Sequence, residues 1–313
     1  MSGPDCGTCS ADGVVELAAV VLLVFGVLLA EPLSRALAVA RWPARDPVGA
    51  LLVWQAVGLA GGLSLVGAGI VYGLAPLGPD LPAALHRVLA VQPSAVLWLP
   101  FDHILALLAG LALAGWLLAV LAVTASRTLR VRRRHRDLID VLTTPWPAVP
   151  GARVLDHPVP VAYCLPGRRS RLVLSAGALD ALDPVQVDAV LAHERAHLCE
   201  RHDLVVLPFV AWGATAPFVR GMVCAQVAVA ALIEMRADDV AAARVAPAEL
   251  AGALRAVGGA VPAAALSSFS AALDRRLGRI VAHPAPLPMS AKVLVRVTAA
   301  ALVVVPTAAL LLG

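Results

Sequence analysis

From Val48 to Leu74 the chain runs without one charged side chain. An apolar stretch of about 20 residues crosses the hydrocarbon of a bilayer as a helix, because only a helix satisfies its own backbone there. Three more such runs follow the same logic: Leu17 to Ala30, which Val14 and Val15 extend past Glu16; Phe101 to Ala125; and Val293 to Leu312, with Arg296 near its start. Composition agrees, with 60% hydrophobic and only 15% charged residues and a mean hydropathy of +0.83, against about 25% charged in an ordinary soluble domain. The chain reads as a mainly α, polytopic membrane protein with about four transmembrane helices.

Lys and Arg near the span ends set the orientation, since loops rich in them stay in the cytoplasm. RTLRVRRRHR places six Arg within Arg127 to Arg136; the first loop carries Arg35, Arg41 and Arg45, the second only Arg87; Arg275, Arg276, Arg279 and Lys292 precede the last span. The expected topology is N-terminus outside, 31–47 inside, 76–99 outside and 126–292 inside, in a plasma membrane. The net charge of +4 then reflects topology and contact with the lipid bilayer; no nucleic-acid motif accompanies it, so no direct nucleic-acid partner is expected. The acidic start MSGPDCGTCSADG does not fit a cleavable signal peptide. Cys6 and Cys9 fall on the oxidising side, spaced as a CxxC pair that can form a disulfide, while Cys164, Cys199 and Cys224 read as small apolar fillers. The domain organisation expected is a three-span region at 1–125, a cytoplasmic α+β domain at 126–292 and a closing span at 293–313.

Within the inside region, SRLVLS at Ser170 to Ser175 is a compact strand candidate bounded by glycines. Asp183, Pro184 and Gln186 supply an N-cap, a proline at the first helical position and a capping-box partner, so a helix is expected from Pro184. It carries HERAH, residues 193–197. On a helix, His193 and His197 share a face, so both imidazoles can reach one ion, and Glu194, turned by about 100°, stands beside that ion as a base. HExxH alone occurs by chance. A catalytic zinc takes three protein ligands and a water, and the third has two candidates: Asp203, and Glu234 in EMRADD, whose partner Asp238 lies one turn on and can hold a ligand histidine from outside the metal shell. The metzincin pattern fails, because Glu200 and Asp203 stand where its glycine and histidine belong.

The segment between the motifs, 204–233, is apolar but interrupted by Pro208, Pro217 and Arg220. One crossing would put Glu234 on the wrong side from His193, and two need about 40 residues plus a turn. A membrane-returning hairpin is therefore expected.

HExxH on a helix opened by this cap, an apolar stretch, then ExxAD, with spans on both sides, resembles the BlaR/MecR-type integral-membrane zinc metallopeptidases. It is more distantly similar to the HtpX-type and CAAX-prenyl endopeptidases. The resemblance implies a gluzincin-like, zincin-fold cytoplasmic domain that binds Zn2+ through His193, His197 and Glu234, with Glu194 as general base, Asp238 outside the metal shell and His202 and Asp203 in support. It implies a protein or peptide substrate, with a BlaI/MecI-type transcriptional repressor as the partner to expect and regulatory signalling as the role. The chain lacks the C-terminal penicillin-binding sensor of those receptors, so β-lactam sensing by it alone is not expected. The competing readings are an HtpX-like membrane-protein quality-control protease, a receptor that keeps zinc without proteolysis, and a transporter subunit. An intact Glu194 argues against the second, and spans two to four, nearly free of ionisable groups, against the third. Two finer expectations complete the reading: a substrate strand pairing with the edge at Arg171 to Ser175, and His202 as a helix-surface residue in place of an oxyanion donor.

Overall fold

The computed structural model describes residues 8–167, 170–216, 218–258 and 266–312. Among them, four helices are long and apolar enough to cross a membrane. The first is α1 (Thr8–Leu28), continued through a π-turn at Leu29–Leu33 into α2 (Ser34–Val39). Pro32 lies inside that turn and has no N–H to give to the helix; two residues on, Ser34 Oγ donates to the Leu29 carbonyl at 2.7 Å. The first span thus runs further than the sequence marks, to Val39. Helix α3 (Pro47–Leu74) starts on an Asp46 cap and a first-position proline, and packs against α1 and the helices introduced below as the hub of the bundle. Small residues let backbones close in, as they do between helices in lipid: a Cβ on Gly69 would lie 2.8 Å from the Ala106 carbonyl oxygen. The short α4 (Leu81–His86) leads to α5.

Helix α5 (Phe101–Leu142) is unbroken over 42 residues, about 63 Å at 1.5 Å per residue, twice a bilayer's hydrocarbon thickness. It passes through the boundary expected at 125/126 without a break, because the Arg-rich half that follows is held by the domain. Arg132 pairs with Asp203 at 2.6 Å, Arg136 donates to the Pro166 carbonyl at 2.6 Å, and Asp140 takes Arg171 in a two-pronged pair at 2.9 and 3.0 Å. Part of the arginine cluster is therefore structural.

A four-stranded sheet follows: β1 (Thr143–Pro145), β2 (Ala152–Leu155), β3 (Ala162–Leu165) and β4 (Arg171–Ser175), in the order β1-β2-β4-β3, with only β2 and β4 parallel. The edge pairing expected at Arg171 to Ser175 is overturned. That strand is bonded on both sides, and the edges are β1 and β3. The buried Leu172, Val173 and Leu174 explain why: the most apolar strand is covered on both flanks.

Helix α6 (Ala176–Ala181) leads to α7 (Pro184–Cys199), which begins where the sequence places it, with both arms of the capping box formed. Helices α8 (His202–Thr215) and α9 (Arg220–Ala242) pack on each other as a hairpin, which brings residue 234 back to α7. It lies against α3: Gln55 donates to the Val205 carbonyl at 2.8 Å, one turn before Pro208, and Phe209 and Trp212 reach Gly58. At its apex Gly221 N–H donates to Glu31 at 2.7 Å, and a Cβ there would collide with the Ala30 carbonyl oxygen, so the start of α9 is fitted to the first span. Helices α10 (Pro247–Gly258) and α11 (Leu266–Ala282) close over α7 and α9 around Leu250, Val190 and Ile280. The last span, α12 (Met289–Leu312), lies along α3, and its Arg296 pairs with Asp46 at 3.2 Å. Cys199 is exposed and so is no core filler. The pairing raised for Cys6 and Cys9 lies outside the described residues.

Candidate metal centre

Four donor groups come from two helices. Helix α7 presents His193 and His197 on one face, and the returning α9 brings Glu234 and Asp238 to meet them. His193 Nε2 and His197 Nε2 stand 3.2 Å apart, and Glu234 lies 3.4 Å from the first and 3.6 Å from the second. A tetrahedral zinc with bonds of 2.0–2.1 Å sets its ligands about 3.3 Å apart. The triangle has that size, and the three residues form a cluster able to hold a metal among the described residues. Charge fits as well: the carboxyl groups of Glu194, Glu234 and Asp238 gather around the two histidines, a donor set that suits a cation.

Each histidine is held from behind. Asp238, 1% exposed, comes within 3.1 Å of His193 Nδ1 in a bent approach, while Nε2 faces His197, Glu234 and, at 3.4 Å, the Arg276 guanidinium. His197 Nδ1 faces His202 Nδ1 at 3.0 Å. His202 is buried, 4% exposed; the surface position expected for it is corrected, because it packs under His197. Asp203 turns to Arg132 and stands outside the ligand triangle.

Arg276, on α11, had no role in the sequence beyond orienting the last span. It holds Asp238 through two bonds of 2.9 and 2.7 Å and reaches Glu234 at 2.9 Å. Its neighbour Arg279 likewise turns inward, to Asp239 at 2.7 Å. No spacing rule links Arg276 to residues 38 positions upstream; the one hint is a pair of basic residues on a helix with apolar neighbours.

Burial raises the Glu194 carboxyl above the usual carboxylate range, against the pull of His193; this suits a base that must work near neutrality. Burial also pushes the Cys164 thiol up, with the nearby Glu194 charge adding to it, which disfavours the thiolate. For His193, burial opposes the charged ring, but the Asp238 and Glu234 carboxylates outweigh it and raise the pKa to about 9; for His197, burial prevails and lowers it to about 4. Between those values one proton, on His193, must leave before a metal binds. Zinc affinity should therefore rise about tenfold per pH unit from pH 6 to 8, falling as the solution becomes more acid. Calorimetry in buffers of different ionisation heat should find about one proton released per zinc; none released would contradict the assignment.

A groove passes the triangle on both sides. One lobe of about 680 Å³ is mostly apolar, with Val190, Val227, Leu250 and Leu254; the other, of about 480 Å³, holds Arg132, Tyr163 and His202; His193, Glu194, Ala230 and Glu234 line both. Strand β3 contributes to each lobe. Since Ser175 N–H donates to the Val161 carbonyl at 2.9 Å and Tyr163 opposes Val173, the antiparallel alternation points the backbone groups of Ala162 and Cys164 away from β4.

Residues 125–257 match the model of peptidase family M48. The match runs from the Arg-rich half of α5 through α10 and contains every ligand candidate. It supports a metallopeptidase, generally of zinc, and a membrane type of that class fits the four apolar helices. Arg276 lies beyond the M48 match. No curated protein and no solved structure matches the chain.

Proposed function

We propose that the chain is a membrane-embedded zinc endopeptidase that cuts extended protein segments at the cytoplasmic face of the plasma membrane. The observation that carries this reading is the His193, His197 and Glu234 triangle, sized for zinc, with Glu194 beside it in an open groove. These three residues would hold the ion, which when bound polarises a peptide carbonyl and acidifies water. Glu194 takes the proton from the attacking water and delivers it to the leaving amine nitrogen. Arg276 and Asp238 keep His193 and Glu234 aimed. The substrate backbone adds to β3 through Ala162 and Cys164, as peptides add to open sheet edges, and an apolar side chain enters the lobe at Leu250.

The cytoplasmic assignment rests on charge. The ends of the spans that carry Arg41, Arg45, Lys292 and Arg296 lie on the same side as the zinc site, and such residues stay inside. A repressor of the BlaI/MecI type and a damaged membrane protein both offer an extended segment there, so the groove serves either. A comparison of new protein N-termini between parent cells and cells carrying Glu194→Gln separates them. Termini from one soluble repressor, seen only in the parent, mark signalling, and termini from many membrane proteins mark quality control; identical sets in both strains would refute proteolysis.

A further inference from the structure

Asp238 and Arg276 explain how His193 is held, but among the described residues no carboxylate stands behind His197. In that place stands a chain of side chains. His197 Nδ1 meets His202 Nδ1 at 3.0 Å, His202 Nε2 meets Glu200 Oε2 at 3.2 Å, and Glu200 takes the Arg236 guanidinium through contacts of 2.6 and 3.0 Å. Arg236 lies two residues beyond Glu234 on α9. The chain thus starts at one ligand and closes on the helix that carries another.

Local backbone makes this contact possible. Had α7 continued, residue 202 would sit about 140° round the helix from His197, five steps of 100°. Arg201 instead adopts φ +52°, a left-handed conformation rare for a side chain of its kind, and the turn lays His202 against His197, with ring centroids 4.9 Å apart. A non-glycine residue in that region persists where the surroundings hold it there, commonly beside a functional site.

We infer that His202 is a positioning residue for the zinc ligand His197, acting through its Nδ1 as acceptor. One placement of protons satisfies every contact. His197 keeps Nε2 bare for the metal and donates from Nδ1 to His202 Nδ1; His202 donates from Nε2 to Glu200, which Arg236 fixes. Outer partners of this kind set the tautomer and ring angle of a ligand, and their loss typically weakens metal binding 10- to 100-fold.

The inference rests on the zinc reading above, and its test keeps the two apart. Full-length protein in detergent is titrated with zinc against a chelator, and with Co2+ followed by visible absorption. His202→Phe keeps the ring's bulk but has no acceptor, and should bind zinc about 10- to 100-fold more weakly with an altered Co2+ spectrum. His202→Asn offers an oxygen where Nδ1 stood and should stay within a few-fold of the parent. Phe and Asn variants that behave alike, whether both tight or both weak, would overturn the role. His193→Ala serves as the control: if it holds zinc as tightly as the parent, the metal reading itself has failed.

Discussion

Glu194→Gln should lower kcat by about 10²–10⁴-fold, the range a positioned general base contributes, with zinc still bound at one per chain. The amide keeps the shape of the carboxylate but cannot accept the proton of the attacking water. Glu194 is not one of the ligand triangle, so the metal has no reason to leave. Its carboxyl is held above the usual range chiefly by burial, and the amide, which needs no charge in that setting, should not cost stability. Peptidase assays on reconstituted protein, paired with metal analysis of the same sample, read both halves. Equal activity in the variant would remove Glu194 from the chemistry.

Glu234→Ala should do the converse. It takes away the carboxylate that completes the triangle and leaves the Arg276 guanidinium, 2.9 Å away, without its second partner. Two histidines alone make a poor zinc site, and affinity should fall by more than about 100-fold, beyond what loss of an outer partner costs. Asp203→Ala makes the contrast. Asp203 is spent on Arg132 of the α5 stalk, so that variant should keep its zinc and instead loosen the stalk from α8. Zinc lost in Asp203→Ala and kept in Glu234→Ala would move the third ligand.

The features that could be read in advance were those fixed by local physics. Apolar runs poor in charge mark the spans because a charge in hydrocarbon is costly, and Asp183, Pro184 and Gln186 mark the start of α7 because a cap is a local contact. The return of residues 204–233 was legible from length alone: Glu234 had to reach His193, and 30 residues do not cross twice. What depended on distant packing was not legible. SRLVLS is the most strand-like stretch, and it became the central strand for that reason, which left the weaker AYCL, set among prolines, to form the edge by the site. Helix α5 outlasts its apolar run because Arg132, Arg136 and Asp140 are bound by residues 30 or more positions away. Arg276 arrives from α11, outside any motif, and His202 turned inward at an Arg201 whose left-handed backbone no glycine announced.

A zinc centre built by α7 and α9 should show in the metal content of the protein. Protein purified from cells grown without added chelator, and its His193→Ala/His197→Ala variant, are analysed by mass spectrometry for bound metal per chain. The parent should carry about one zinc, as a catalytic site holds, and a variant that still folds close to none. A parent that neither carries zinc nor takes it up on titration, or a double variant that keeps it, would mean that these helices hold no zinc.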